Sequence, residues 1–114
     1  MPHYKEITTI EEWNQLYGDS YDQALLIFKH STTCPISAEA YRQFQQYLDD
    51  NPRIDLQYLL VKVIESRHVS NQIAADLNVR HESPQAILVE HKQPHWHASH
   101  RKITKQNLQN ILGE

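Results

Sequence analysis

At 114 residues, 39% hydrophobic and 22% charged, the chain is sized for one domain, residues 1–114, with a core large enough to fold alone. A formal net charge of −3 offers no electrostatic footing for nucleic acid, and no stretch approaches the roughly 20 apolar residues of a membrane span. Only two glycines occur, Gly18 and Gly113, which excludes a glycine-rich phosphate loop. Charge is unevenly spread. Residues 1–57 hold nine Asp/Glu against four Lys/Arg, and residues 58–114 hold five against seven.

The elements alternate in type along the chain. Tyr4 to Ile7 reads as a short first strand. Thr9-Ile10-Glu11-Glu12 is a capping box, and Ile10, Trp13 and Tyr17 follow at helical spacing until Gly18 and Asp19 end the helix. Ala24 to Lys29 is apolar on both faces, as in the middle of a covered sheet. A second helix is expected from Pro35 to about Asp50, with a buried stripe of Ile36, Ala40, Phe44, Tyr47 and Leu48 and a stop at Asn51-Pro52. Ile54 to Val63 is the next strand. Ser70 is expected to cap a third helix carrying Ile73, Ala74 and Leu77 and ending at Asn78 or Arg80. Ser83-Pro84 leads into a strand over Gln85 to Glu90. Lys92-Gln93-Pro94 is a turn candidate, and His95 to His100 returns as an edge strand. Thr104 caps a last helix with Leu108, Ile111 and Leu112. Helices between the early strands imply parallel neighbours, while a tight turn makes the last two antiparallel. The expected architecture is α/β: a mixed sheet of four to five strands with helices on both faces.

The one cysteine, Cys34, falls at the junction between the central strand and the second helix, in Ser31-Thr32-Thr33-Cys34-Pro35-Ile36-Ser37. A sulfur there faces the positive end of the helix and its free N–H groups, which favours the nucleophilic thiolate. The polar neighbours Ser31, Thr32, Thr33 and Ser37 argue against a buried, inert cysteine. With no second cysteine, an intramolecular disulfide is impossible, so Cys34 works with an outside partner. A lone cysteine and a start, Met1-Pro2-His3-Tyr4-Lys5-Glu6, without an apolar signal core point to a reducing cytoplasm.

The element order, the cysteine at the second strand–helix junction and the proline opening the fourth strand are similar to a thioredoxin fold. Thr33-Cys34-Pro35-Ile36-Ser37 stands where that fold carries Cys-x-x-Cys, with Ser37 in place of the second cysteine. The whole chain and this motif resemble the monothiol bacilliredoxins of the YtxJ type, small cytoplasmic proteins of bacteria that use bacillithiol in place of glutathione. The resemblance implies removal of bacillithiol from protein mixed disulfides. Cys34 is then the nucleophile, Thr33, Pro35, Ile36 and Ser37 support its thiolate, and Pro84, after Ser83, is the cis-proline facing it at a substrate-binding loop. It also implies bacillithiolated client proteins and a low-molecular-weight thiol as partners, no bound cofactor, and a monomer.

The chemistry also follows from the residues. A thiolate attacks a disulfide sulfur and forms a mixed disulfide. Ser37 has a hydroxyl and cannot resolve that adduct, so an external thiol must; its hydroxyl or backbone N–H is expected to donate to the Cys34 thiolate. A cis Ser83–Pro84 bond would leave the Ser83 backbone free to pair with an extended substrate. Arg80 and His81 are candidates for meeting an anionic ligand, since bacillithiol carries a pair of malate carboxylates. His91, His95, His97 and His100 are the rival signal. His95 and His97 share a strand face, with His91 across the hairpin and Glu90 expected to point away, which is too few ligands for a tight metal site. Two other functions compete. An iron–sulfur carrier like some monothiol glutaredoxins would need their Cys-Gly-Phe-Ser motif, and here Pro35-Ile36 replaces Gly-Phe. A non-catalytic thioredoxin-fold stress or binding module would leave Cys34 incidental.

Overall fold

A computed structural model describes residues 4–50 and 53–113. Five strands form one sheet in the order β1-β3-β2-β4-β5. They are β1 (Lys5–Glu6), β2 (Ala24–His30), β3 (Leu56–Lys62), β4 (Gln85–Glu90) and β5 (Gln93–Ser99). β1 and β2 lie parallel to β3, while β4 runs antiparallel to both β2 and β5. Four helices cover the sheet: α1 (Ile10–Gly18), α2 (Pro35–Asp49), α3 (Arg67–Leu77) and α4 (Lys105–Leu112). The mixed sheet expected from the alternation of elements is therefore present, with five strands.

Two cores lie back to back across the sheet, and strand alternation builds both. On one face Leu26 and Phe28 of β2 and Tyr58 and Leu60 of β3 meet Phe44 and Tyr47 of α2 and Leu108 and Leu112 of α4. On the other face Leu25 and Ile27 of β2 and Leu59 and Val61 of β3 meet Trp13 of α1 and Val69, Ile73 and Leu77 of α3. Trp13 is fully buried, and its indole N–H donates to Asp76 Oδ2 at 2.8 Å, so α1 and α3 are joined by a satisfied polar contact as well as by packing.

The capping residues act as their chemistry predicts. Thr9 Oγ1 accepts from the Glu12 backbone N–H at 3.1 Å while Glu12 reaches back to the Thr9 N–H, completing the capping box. Thr104 Oγ1 accepts from the Asn107 N–H at 3.0 Å. Other boundaries differ from the sequence reading. α3 starts one turn earlier than a cap at Ser70, after Ser66, because Val69 belongs to its buried stripe; Ser70 lies inside the helix and is buried. β3 is shorter at its start because Ile54 is 92% exposed, beside the Arg53–Asp55 ion pair. The β4–β5 turn is His91–Lys92, both with positive φ (53° and 63°), so the return strand already begins at Gln93. Asn78 closes α3 in the left-handed region, φ 55°. The expected stop at Asn51-Pro52 lies outside the described residues. Among those described, no helix is long and apolar enough to cross a membrane.

One buried residue breaks the apolar pattern. Lys29 of β2 is fully buried on the α3 face, and its Nζ donates to the Ser70 carbonyl at 3.0 Å and lies 3.4 Å from His81 Nδ1. Among the described residues it has no carboxylate partner. Burial therefore lowers its pKa from 10.5 to about 8. Between those values the unfolded chain binds more protons than the folded one, so stability rises with pH across that window. Below it, holding the ammonium costs on the order of 3 kcal/mol. Lys29→Met is expected to be more stable than the parent at pH 7 by about 1–3 kcal/mol. In urea titrations that advantage should shrink as the pH approaches 10.5; a variant less stable at pH 7 would contradict the unpaired charge.

Candidate active site

The site is built where β2 ends and α2 begins. Ser31 to Cys34 form a turn closed by the Cys34 N–H donating to the Ser31 carbonyl at 3.3 Å. Cys34 is then the N-cap of α2, in an extended conformation (φ −108°, ψ 124°), and its carbonyl accepts the Ala38 N–H at 2.9 Å. Pro35 occupies the first helical position, where its missing N–H costs nothing. The backbone N–H groups of Ile36 and Ser37 follow, and no intrahelical acceptor exists for them in the first turn. The half-buried Cys34 is the N-cap residue, and no side-chain hydrogen bond, its own sulfur's included, caps the helix. Negative charge on that sulfur sits at the positive end of a 15-residue helix.

Ser37 is fully buried, one turn into α2. Its Oγ accepts from the Ser31 backbone N–H at 2.9 Å and lies 2.8 Å from His30 Nδ1. Both groups are satisfied if the hydroxyl donates to Nδ1, which places the imidazole proton on Nε2. The hydroxyl is thereby committed to the backbone and to His30, so the expected hydroxyl-to-thiolate bond is not formed and only the backbone N–H of Ser37 is left to face Cys34. His30 stacks on Tyr41 with centroids 4.8 Å apart and on Phe28 at 5.7 Å. Burial, reinforced by Lys62 and opposed by Glu65, pushes its pKa below the ordinary histidine value. His30 was not singled out from the sequence, although its position two residues past Phe28 on the same strand face was the available signal.

The rest of the motif is exposed. Thr33 and Pro35 face solvent, and Ile36 is half-buried. Thr32 Oγ1 donates to Glu65 Oε2 at 3.1 Å, tying the cysteine turn to the β3–α3 loop, where Ile64 is 47% exposed. On the other side lies the loop before β4. The Ser83–Pro84 peptide is cis, and Pro84 is buried. The Pro84 carbonyl accepts the His100 N–H at 3.0 Å, which brings the segment His100–Lys102 beside this loop.

Arg80 and His81 are placed differently. The Arg80 carbonyl accepts from Gln85 Nε2 at 3.0 Å, and its side chain is exposed. His81 Nδ1 lies 3.2 Å from Ser70 Oγ and 3.4 Å from Lys29 Nζ. Its partial burial, with Lys29 and Arg67 nearby, pushes its pKa down, which works against a cationic role. Neither residue lines the cleft beside the motif. That groove, about 420 Å³, runs between Pro35, Ile36 and Ala40 on one wall and His100, Arg101 and Ile103 on the other.

The histidines of the hairpin are dispersed. His95 lies 3.8 Å from Glu90, which does not point away as expected, because a register shift at Leu88/Val89 changes the pairing. His100 instead lies 3.4 Å from Glu82. Among the described residues no group of three His, Cys, Asp or Glu is gathered for a metal ion.

The comparisons with known proteins fit this geometry. A solved structure described as an oxidoreductase with a thioredoxin fold is 31% identical, with a TM-score of 0.81, covering 95% of this chain and 92% of its own. Thioredoxins from Malassezia sympodialis (19% identity, TM-score 0.74, covering 96% and 87% of the two chains) and Fasciola hepatica (8%, 0.72, 95% and 95%) share the fold. Residues 5–108 match the family described as monothiol bacilliredoxin BrxC. With one cysteine at the head of α2 and a serine in the resolving position, this chain is a thiol–disulfide oxidoreductase and belongs to the monothiol bacilliredoxin family.

Proposed function

We propose that this protein removes bacillithiol from mixed disulfides on client proteins. The observation that carries the reading is the pairing of Cys34 with a buried, fully engaged Ser37 in a chain that has no second thiol. The Cys34 thiolate attacks the bacillithiol sulfur, forming a Cys34–bacillithiol disulfide and expelling the client cysteine as a thiolate. One disulfide breaks and one forms, with no net oxidation. A thiolate from an external small thiol or reductase then attacks the adduct, takes the bacillithiol sulfur into a new disulfide and returns Cys34 to its thiolate. The clients and the small thiol meet a site framed by Thr33, Pro35 and Ile36 on one side and by Ser83 and Pro84 on the other, and the cytoplasm is the compartment such chemistry requires.

In this scheme Ser37 has a structural part. It holds the turn in shape so that the sulfur stays at the end of α2, and its inability to form a disulfide leaves the adduct for an external thiol. Client recognition uses the half-buried Ser83 backbone before the cis-proline and the apolar side chains of Ile36 and Ile64.

Cys34→Ser should abolish release of a client thiol from a bacillithiolated protein, as followed by intact mass; activity in that variant would end the reading. Ser37→Ala strands the Ser31 N–H and the His30 ring nitrogen in a buried site. It should lower stability by about 1–3 kcal/mol in denaturant titrations. The folded fraction should keep activity within a few-fold of the parent. A folded but inactive Ser37→Ala would assign the hydroxyl a direct part in the chemistry.

A further inference from the structure

The groove beside the cysteine motif has a charge pattern that the thiol exchange itself does not need. It continues into a second cleft of about 370 Å³ lined by Ile36, Ser99, His100, Arg101 and Lys102. Ile36, His100 and Arg101 are common to both, so the two form one depression. Pro35, next to Cys34, and Ile36 stand on one wall, His100 and Arg101 face them from the other, and of the two clefts Lys102 lines only the second. The backbone holds the run His100-Arg101-Lys102 in place, since the His100 N–H is bonded to the Pro84 carbonyl and the Ile103 N–H to the His100 carbonyl.

The field in this groove is positive at one end. Arg101 and Lys102 are exposed, and among the described residues neither forms an ion pair. His100 faces Glu82. The other acid on the wall, Glu39, is held by Arg42 at 2.6 Å and by Gln43 at 3.1 Å, so its charge is largely answered. In a chain of net charge −3, two adjacent cations without an ion pair in the cleft that Ile36 also lines are a local departure from the whole. The combined volume is in the range of small-molecule clefts, roughly 300–1,000 Å³.

We propose that Arg101 and Lys102 hold the malate carboxylates of bacillithiol, with its sulfur at Cys34 and its sugar over Ile36. This rests on the de-bacillithiolation reading above and adds to it a subsite for the small thiol. A ligand whose sulfur is at Cys34 passes Pro35 and Ile36, which can face a neutral sugar, and meets Arg101 on the facing wall and Lys102 in the adjoining cleft, where a dicarboxylate can be held. Arginine takes a carboxylate through its planar fork, and lysine adds a point charge to the second. The subsite also selects which sulfur is attacked. A bacillithiol moiety anchored by its carboxylates presents its own sulfur to Cys34 and leaves the client cysteine as the departing thiolate, so the adduct that forms is the one the groove retains.

The test uses two versions of one cysteine-containing reporter peptide. One carries bacillithiol in a mixed disulfide, and the other carries cysteinyl-glucosamine, the same thiol without malate. Peptide-thiol release is followed for the parent, for Arg101→Glu/Lys102→Glu, and for Lys5→Glu, an exposed charge on the edge strand β1. The parent should favour the malate-bearing substrate by roughly five- to tenfold at low salt, as expected for two exposed charge contacts, and the preference should decline as salt rises. The double variant should lose that preference while processing the malate-free substrate at the parental rate, and Lys5→Glu should behave as the parent. A second readout is the fraction of Cys34 converted to adduct at equilibrium with oxidised bacillithiol, against the malate-free disulfide, read by intact mass. It should show the same selective loss. Absence of discrimination by the parent, or a double variant that slows both substrates alike, would overturn the subsite while leaving de-bacillithiolation intact. Failure of the parent on both substrates would remove the underlying reading and the subsite together.

Discussion

The site depends on one small hydroxyl. Ser37 Oγ takes the Ser31 N–H and gives its proton to His30, and all three residues meet where the central strand hands over to α2. Without that contact the turn from Ser31 to Cys34 keeps a 3.3 Å backbone bond and the exposed side-chain contacts of Ser31 with Thr33 and of Thr32 with Glu65. With it, the end of β2 and the first turn of α2 are locked to one another. The sulfur of Cys34 is thereby kept at the point where the helix presents unanswered N–H groups. The placement of Cys34 is thus a packing result, secured by a buried hydrogen-bonded network. The aromatic stack of Phe28, His30 and Tyr41 closes this network from the α2 side and fixes the imidazole plane.

The same strand carries a second polar device on its opposite face. Strand alternation sends His30 toward α2 and Lys29 toward α3. Lys29 reaches the Ser70 carbonyl and the ring of His81, so it links β2 to α3 and to the segment that runs into the cis-proline loop. Gln85, its register partner on β4, holds the same segment through the Arg80 carbonyl. The cis-proline loop is therefore tied to the strand that leads into the cysteine turn. A buried ammonium is a costly way to do this. An apolar residue in its place would stabilise the fold and lose the tether, which makes Lys29 a position where stability and site geometry pull apart.

How far the sequence could be read depends on where the deciding interactions lie. Capping residues such as Thr9 and Thr104 act on neighbours three positions away, so they are legible in a linear string. The alternation of helix and strand sets parallel and antiparallel neighbours by the same local logic. The site was legible to the extent that it is local: Cys34 and Pro35 open α2 at the strand–helix junction, and the Ser83–Pro84 bond is cis. His30 was missed because its role arises only when Ser37 folds back on it. Arg101 and Lys102, proposed above for the carboxylates, drew no notice in the sequence because Arg101 stands 67 positions beyond Cys34 and tertiary contacts, His100–Pro84 and Lys105–Gln43 among them, bring the segment near. Arg80 and His81 looked suited to an anion by charge and position, yet desolvation, and after it the buried Lys29, whose burial is invisible in the sequence, lowers the His81 pKa. The turn at His91–Lys92 has no glycine or asparagine to announce it, since two ordinary residues take positive φ there.

A one-cysteine exchange site has a particular difficulty that the groove addresses. In a two-cysteine site the adduct is short-lived, because the second thiol waits within reach at high effective concentration. Here nothing inside the protein ends the mixed disulfide, so its fate is set by what reaches it and by which of its two sulfurs is presented. A client held by its backbone at the cis-proline loop and a small thiol held by its charges at Arg101 and Lys102 would be gripped by two adjoining segments, joined by the His100–Pro84 bond. The two partners are then held by different chemistry, backbone pairing for the client and charge for the small thiol. The client departs when its backbone contacts are lost, and the incoming thiol meets an adduct whose small-thiol half stays anchored by its carboxylates. Direction in the exchange then comes from unequal holding of the two partners, which a single sulfur cannot supply alone.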